Sequence, residues 1–66
     1  MKPIIEISGN LGYKLERGYR AFICKEEGDT LFTSQVIDIR NETADGIEIE
    51  TQNTIYKLTY TAENAA

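Results

Sequence analysis

Within the eight residues Tyr13-Lys14-Leu15-Glu16-Arg17-Gly18-Tyr19-Arg20 the chain gathers two tyrosines and three cations. Aromatic faces stack on nucleobases, and ammonium and guanidinium groups pair with phosphates. Tyr13, Lys14, Arg17, Tyr19 and Arg20 are therefore candidates for a nucleic-acid or nucleotide site. The plainer reading is a loop whose tyrosines pack half-buried while its cations stay in water. The plainer reading is preferred, because the stretch is short and lacks the form of an RNA-recognition motif.

A second set is acidic: Glu26, Glu27, Asp29, Asp38, Glu42, Asp45, Glu48 and Glu50. Glu48 and Glu50 stand two residues apart, so on a strand they project from one face, where they could engage a basic partner. The alternative is a solvated face that keeps a small domain soluble. Their spacing is not that of a calcium loop. A third set is uncharged and polar: Thr33, Ser34, Gln52, Asn53, Thr54 and Tyr56. Such groups can hold a ligand at a strand bend. More often they bond the backbone where a ladder breaks.

Other chemistry is thinly supplied. The chain has no histidine and one cysteine. That removes the usual zinc sites, Ser-His-Asp and Cys-His catalysis, and any internal disulfide. No base or helix start lies near Cys24 to activate it, so Cys24 is expected to be a small core residue. Nothing selects one catalytic pair among the eleven acids. The expectation is a protein that is not an enzyme and uses no cofactor or metal.

The elements that must position these sets are short. Sixty-six residues make one domain, expected over residues 1–60, with 61–66 as a flexible tail. A domain of this size has no room for a deep cleft, so any site lies on its surface. Turn signals recur at Gly9-Asn10, Gly18, Glu27-Gly28-Asp29, Asp45-Gly46 and Gln52-Asn53, separated by runs rich in Ile, Val, Thr, Tyr and Phe. That spacing predicts a barrel or sandwich. Strands are expected at Ile4–Ser8, Tyr19–Lys25, Thr30–Arg40, Gly46–Thr51 and Thr54–Tyr60, with Leu11–Arg17 as a loop or irregular strand. Thr30–Arg40 is long for one strand, and Thr33-Ser34 is a natural place for it to bend. Ile47 and Ile49 are expected inside, and Glu48 and Glu50 outside. Asn53 is expected to supply a left-handed turn residue.

Thr33-Ser34-Gln35-Val36, followed by Thr51-Gln52-Asn53-Thr54-Ile55-Tyr56-Lys57-Leu58, resembles a pattern in small bacterial and phage-borne proteins. In those, a Thr-Ser-x-Val element precedes a strand ending in Thr-x-Asn-Ser/Thr-x-Tyr. The resemblance spans roughly residues 30–58. It implies a compact barrel and a prokaryotic or mobile-element source, and it carries over no activity.

The net charge is −4, against broad binding of nucleic acid, which depends on phosphate neutralisation. The charge is uneven. Residues 1–25 hold five cations and two acids, and residues 26–66 hold two cations and nine acids. There is no apolar stretch near the roughly 20 residues that cross a bilayer, and the lone cysteine points to a reducing, cytoplasmic setting. The resulting expectation is a mostly-β, SH3-like barrel of five or six antiparallel strands. It would bind a protein partner as an accessory or inhibitory factor, with a nucleic-acid-binding barrel as the alternative. Unpaired strand edges also make a homodimer an expectation.

Overall fold

Gly46–Thr51 shows how the pattern becomes structure. Its Ile47 and Ile49 point inward and are buried, while Glu48 and Glu50 point outward. The same alternation builds the rest of the molecule. The structure, a computed structural model, describes residues 2–61. Five strands follow in chain order: β1 Ile4–Leu11, β2 Arg20–Lys25, β3 Thr30–Arg40, β4 Gly46–Thr51 and β5 Ile55–Tyr60. No helix occurs among the described residues.

The strands close into a five-stranded barrel in the order β1-β2-β3-β4-β5. Consecutive strands pair antiparallel. The expected all-antiparallel arrangement needs one amendment, since β1 meets β5 in parallel, with Ile4 opposite Ile55 through Gly9 opposite Tyr60. The reason is geometric: a meander reverses direction at each link, so the first and fifth strands of a closed ring run the same way.

β3 serves two neighbours. Its first half pairs with β2 and its second with β4, and a register shift marks each half. Between the pairs Arg20↔Gln35 and Phe22↔Phe32, β3 carries one residue more than β2, which places a bulge at Thr33-Ser34. Between Val36↔Thr51 and Asp38↔Glu50 the extra residue is Ile37, left 48% exposed. Bulges bend a strand and let it turn from one sheet into the next. The inward positions of β3 thus become Leu31, Thr33, Val36 and Ile39, spaced by two, three and three.

The core consists of Ala21, Ile23, Val36, Ile47, Ile49, Tyr56 and Leu58, with Ile7, Leu11, Leu15, Leu31, Ile39 and Tyr60 packed around it. Inside it, Thr33 donates to the Ser34 carbonyl (2.6 Å) and accepts from the Ala21 amide (3.0 Å), so its hydroxyl is satisfied at the bulge. At the β4–β5 turn Thr51, fully buried, does the same for Thr54, donating to its carbonyl and accepting from its amide.

Two local expectations are corrected. Cys24 is exposed, because β2 turns Ala21 and Ile23 inward and Phe22 and Cys24 outward. The left-handed asparagine is Asn41, at φ 54°, and not Asn53. Glycine at the β2–β3 turn is required for its backbone, since Gly28 takes φ 105°. The expected tail lies outside the described residues beyond Thr61, whose amide donates to the Gly9 carbonyl (3.2 Å).

Candidate functional site: an aromatic groove on the β2–β3 hairpin

The β2–β3 hairpin places Phe22 opposite Phe32, both on its outer face. Their ring centroids are 5.0 Å apart and the rings are tilted by 46°. The loop joining β1 to β2 brings Tyr13 over the other side of Phe22, at 5.9 Å and nearly parallel. Backbone bonds hold it there: the Gly12 amide donates to the Phe22 carbonyl (2.7 Å), and the Tyr13 hydroxyl donates to the Arg20 carbonyl (2.8 Å). The far end of the loop is tied to β3, where the Gly18 amide donates to the Val36 carbonyl (2.9 Å) and the Gln35 side chain donates to the Gly18 carbonyl (2.9 Å).

Arg20 completes the row. Its Nε donates to the Thr33 carbonyl (2.9 Å), and its guanidinium carbon lies 5.1 Å from the centre of the Phe32 ring. That is a cation–π arrangement. Tyr19 stands 65% exposed beside it. Tyr13, Tyr19, Arg20 and Phe32, with Lys14, Glu16 and Gln35, line an open groove of about 760 Å³. Lys14 makes no ion pair among the described residues.

Of the first candidate set, Tyr13, Lys14, Tyr19 and Arg20 come together on this groove. Arg17 is highly exposed and pairs with Asp38 (3.3 Å). Phe22 and Phe32 were missed as site residues. A signal for them existed: the turn at Glu26–Asp29 puts positions 22 and 32 opposite each other, and two aromatics there must share a face.

The acidic set is arranged differently. Glu48 and Glu50 do point away from the core, but both are half-buried rather than fully exposed. Arg40 pairs with Asp38 (3.5 Å), Glu48 (3.7 Å) and Glu50, while Lys2 reaches Glu50 at 2.6 Å. Asn41 also donates to Glu48 (2.9 Å). With the Arg17–Asp38 pair, three carboxylates there are matched by three cations. The face offers a basic partner little net charge.

The hydrogen bond from Lys2 holds the Glu50 carboxyl below its ordinary pKa. Burial opposes this, and the nearby charges of Lys2 and Arg40 add to it. A depressed carboxylate contributes stability above its unfolded-state value, and loses it as pH falls through the folded value. The contribution of Glu50 should therefore fade below about pH 4.5. Lys2→Met should move the Glu50 carboxyl titration, followed by NMR, upward toward the ordinary value. An unmoved titration would show that Lys2 does not hold the carboxylate.

The polar set is dispersed. Thr33 and Tyr56 are buried, at 2% and 9% exposure, and have no surface to offer a ligand. Ser34 is half-buried at the bulge, and Asn53 is exposed in the β4–β5 turn. No group of three potential metal ligands occurs among the described residues. No protein-family model, curated protein or solved structure matches this chain.

Proposed function

We propose that the chain is a non-enzymatic interaction module that binds a protein partner through the groove formed by Tyr13, Tyr19, Arg20 and Phe32. One observation carries this reading. The chain has six aromatic residues, and Tyr13, Tyr19 and Phe32 stand 47%, 65% and 54% exposed on one face. Burying a large apolar side chain is worth about 1.5–3 kcal/mol. A domain with so small a core forgoes that gain three times over at one place, and a partner that covers the groove would recover it. Aromatic and arginine side chains are also the types that most often anchor protein interfaces.

The arrangement of the rings favours a protein over a nucleic acid. Base stacking needs a free ring face. Phe22 lies between Tyr13 and Phe32, and Arg20 stands over Phe32, which leaves Tyr19 as the one groove ring with no ring or cation neighbour among the described residues, whereas a single strand stacks successive bases on several. The fitting occupant is an extended segment that lays an apolar or aromatic side chain beside Tyr19 and Phe32 and a carboxylate near Lys14 and Arg20. The five-strand meander supports an SH3-like assignment. A phage or mobile-element source belongs to the same proposal and rests on the resemblance of residues 30–58, a cytoplasmic setting rests on the lone cysteine, and an accessory or inhibitory role is proposed with them.

The test is selection from a displayed random-peptide library by the parent domain and by Tyr19→Ser/Phe32→Ser. The parent should enrich peptides with an aromatic or proline next to Asp or Glu. The double variant, with an unchanged dichroism spectrum, should enrich none of them. Equal enrichment by both proteins would overturn the groove. So would saturable binding of oligothymidylate with a steep salt dependence, which would assign it to single strands instead.

A further inference from the structure

The first half of β1 is paired on one side only. β5 covers Ile4 through Gly9, whereas β2 covers only Gly9, Asn10 and Leu11. The direction of the backbone groups follows from parity. The Pro3 carbonyl accepts from Ile55 and the Gly9 carbonyl from Thr61, so odd residues face β5. The Ser8 carbonyl accepts from the Glu26 amide and the Gly12 amide donates to Phe22, so even residues face β2. Ile4 and Glu6 therefore aim their N–H and C=O groups at the side where β2 has already ended.

The space on that side is a notch of about 480 Å³ under the tip of the β2–β3 hairpin, bordered by Glu6, Ile7, Ser8, Lys25, Glu26 and Glu27. Ile4 and Ile5 beside it are 57% and 42% exposed. An edge with unpaired backbone groups and exposed isoleucines is a template for another strand. Charge selects the occupant. Lys25 is paired with Glu27 (3.5 Å). Glu6 and Glu26 have no cation within ion-pair distance among the described residues. A second copy would bring the same acids against these.

We infer that the β1 edge at Ile4–Glu6 accepts an extended, basic segment of a partner protein as an added strand, with alternate apolar and Lys/Arg side chains. The added strand exchanges backbone hydrogen bonds with Ile4 and Glu6, lays apolar side chains against Ile5 and sets cations by Glu6 and Glu26. This site is separate from the aromatic groove in composition and in the charge it prefers.

The probe is an end-capped heptapeptide of alternating Lys and Val, followed by fluorescence anisotropy and by amide exchange. The peptide should bind saturably and slow exchange at Ile4 and Glu6, and a Glu/Val peptide should not bind. Glu6→Pro removes the N–H that faces the notch together with the Glu6 carboxylate, at a place where a strand tolerates proline, so the fold should survive. Binding should then weaken about tenfold or more. Phe32→Ser should bind the peptide as the parent does. Absence of binding by the parent, or undiminished binding by a folded Glu6→Pro, overturns the inference. Sedimentation showing a dimer that Glu6→Pro dissolves would also overturn it, because the edge would then belong to a second copy.

Discussion

Ile49→Ala is expected to leave the domain largely unfolded. Ile49 is fully buried at the centre of β4, opposite Ile39 of β3 and Tyr56 of β5. It thus touches both sides of the barrel wall it belongs to. Truncating a buried isoleucine costs about 2–5 kcal/mol, through lost transfer energy and the cavity left behind. A core in a domain below about 70–80 residues rarely supplies more than about 3–5 kcal/mol of net stability. The two quantities are of the same size, so a single substitution can consume the margin. Urea denaturation followed by circular dichroism measures the loss. Glu48→Gln is the control on the adjacent outward position. Its ion pair with Arg40 is partly solvated and long, and its removal should change stability by less than about 1 kcal/mol. If the two variants melted alike, the inward and outward positions of β4 would be misassigned.

Gly9→Ala should open the barrel at one seam. Gly9 is the residue where β1 stands against both neighbours at once, opposite Lys25 of β2 and Tyr60 of β5. A Cβ at Gly9 would overlap the Cys24 carbonyl oxygen and come within 2.9 Å of the Lys25 Cα. These are backbone atoms, so no rotamer change relieves the contact. β1 must move off β2, and that seam is short, with three paired residues and one backbone bond beyond them at each end. Overpacking of this kind typically costs about 1–3 kcal/mol, and here it falls on the weakest pairing of the ring. The expected signature is uneven. The Gly12 amide, bonded to Phe22 across the seam, should lose its exchange protection, while the β3–β4 amides keep theirs. The aromatic groove should loosen with it, since that same bond holds Tyr13 over Phe22. Uniform protection in a stable Gly9→Ala variant would mean that the seam can absorb a methyl group. Gly46 has the same role at β5, where a Cβ would overlap the Leu58 carbonyl oxygen. The Asp45-Gly46 pair signals a turn in the sequence, yet this glycine is needed for close approach of two strands.

The two surfaces proposed for binding differ in chemistry, which makes them separable. The groove is aromatic with Arg20 and Lys14 at its side, whereas the β1 edge offers backbone groups, isoleucines and acids. A single partner that used both would have to present an acidic apolar segment to one and a basic strand to the other. Variants at Phe32 and at Glu6 therefore report on different contacts and can be combined in a double-mutant cycle.

Local pattern accounts for four of the five strands. β3 and β4 begin and end where the alternation and the turn residues place them, and β2 and β5 differ from the expected bounds by one residue. Side-chain direction on a strand is a local property with period two, and the turn residues that interrupt it are local too. The inward and outward positions of β4 are legible because its alternation is clean, though not the ion pairs that half-bury Glu48 and Glu50. β1 runs three residues past its expected end at Ser8, because Gly9-Asn10 has the composition of a turn. In the structure Gly9 continues the strand because two neighbouring strands need its missing side chain.

Tertiary structure decided whatever depends on a partner strand. β2 is apolar on both faces, and only closure of the ring turned Ala21 and Ile23 inward and left Phe22 and Cys24 outside. The bulges at Thr33-Ser34 and Ile37 compensate for one strand serving two sheets. They change the inward spacing on β3 from two to three, which no alternation rule anticipates. The matching of Asp38, Glu48 and Glu50 by Lys2, Arg17 and Arg40 brings together residues up to forty-eight positions apart. A charge count along the chain could show the acids, but not that they are already paired. Tyr56 and Thr33 carry groups that suit a site, and the barrel buried them because their strands turn those positions inward. The same closure set Tyr13, Tyr19 and Phe32 on one outer face, because ring geometry, not local preference, determines which aromatics a small core has room to enclose.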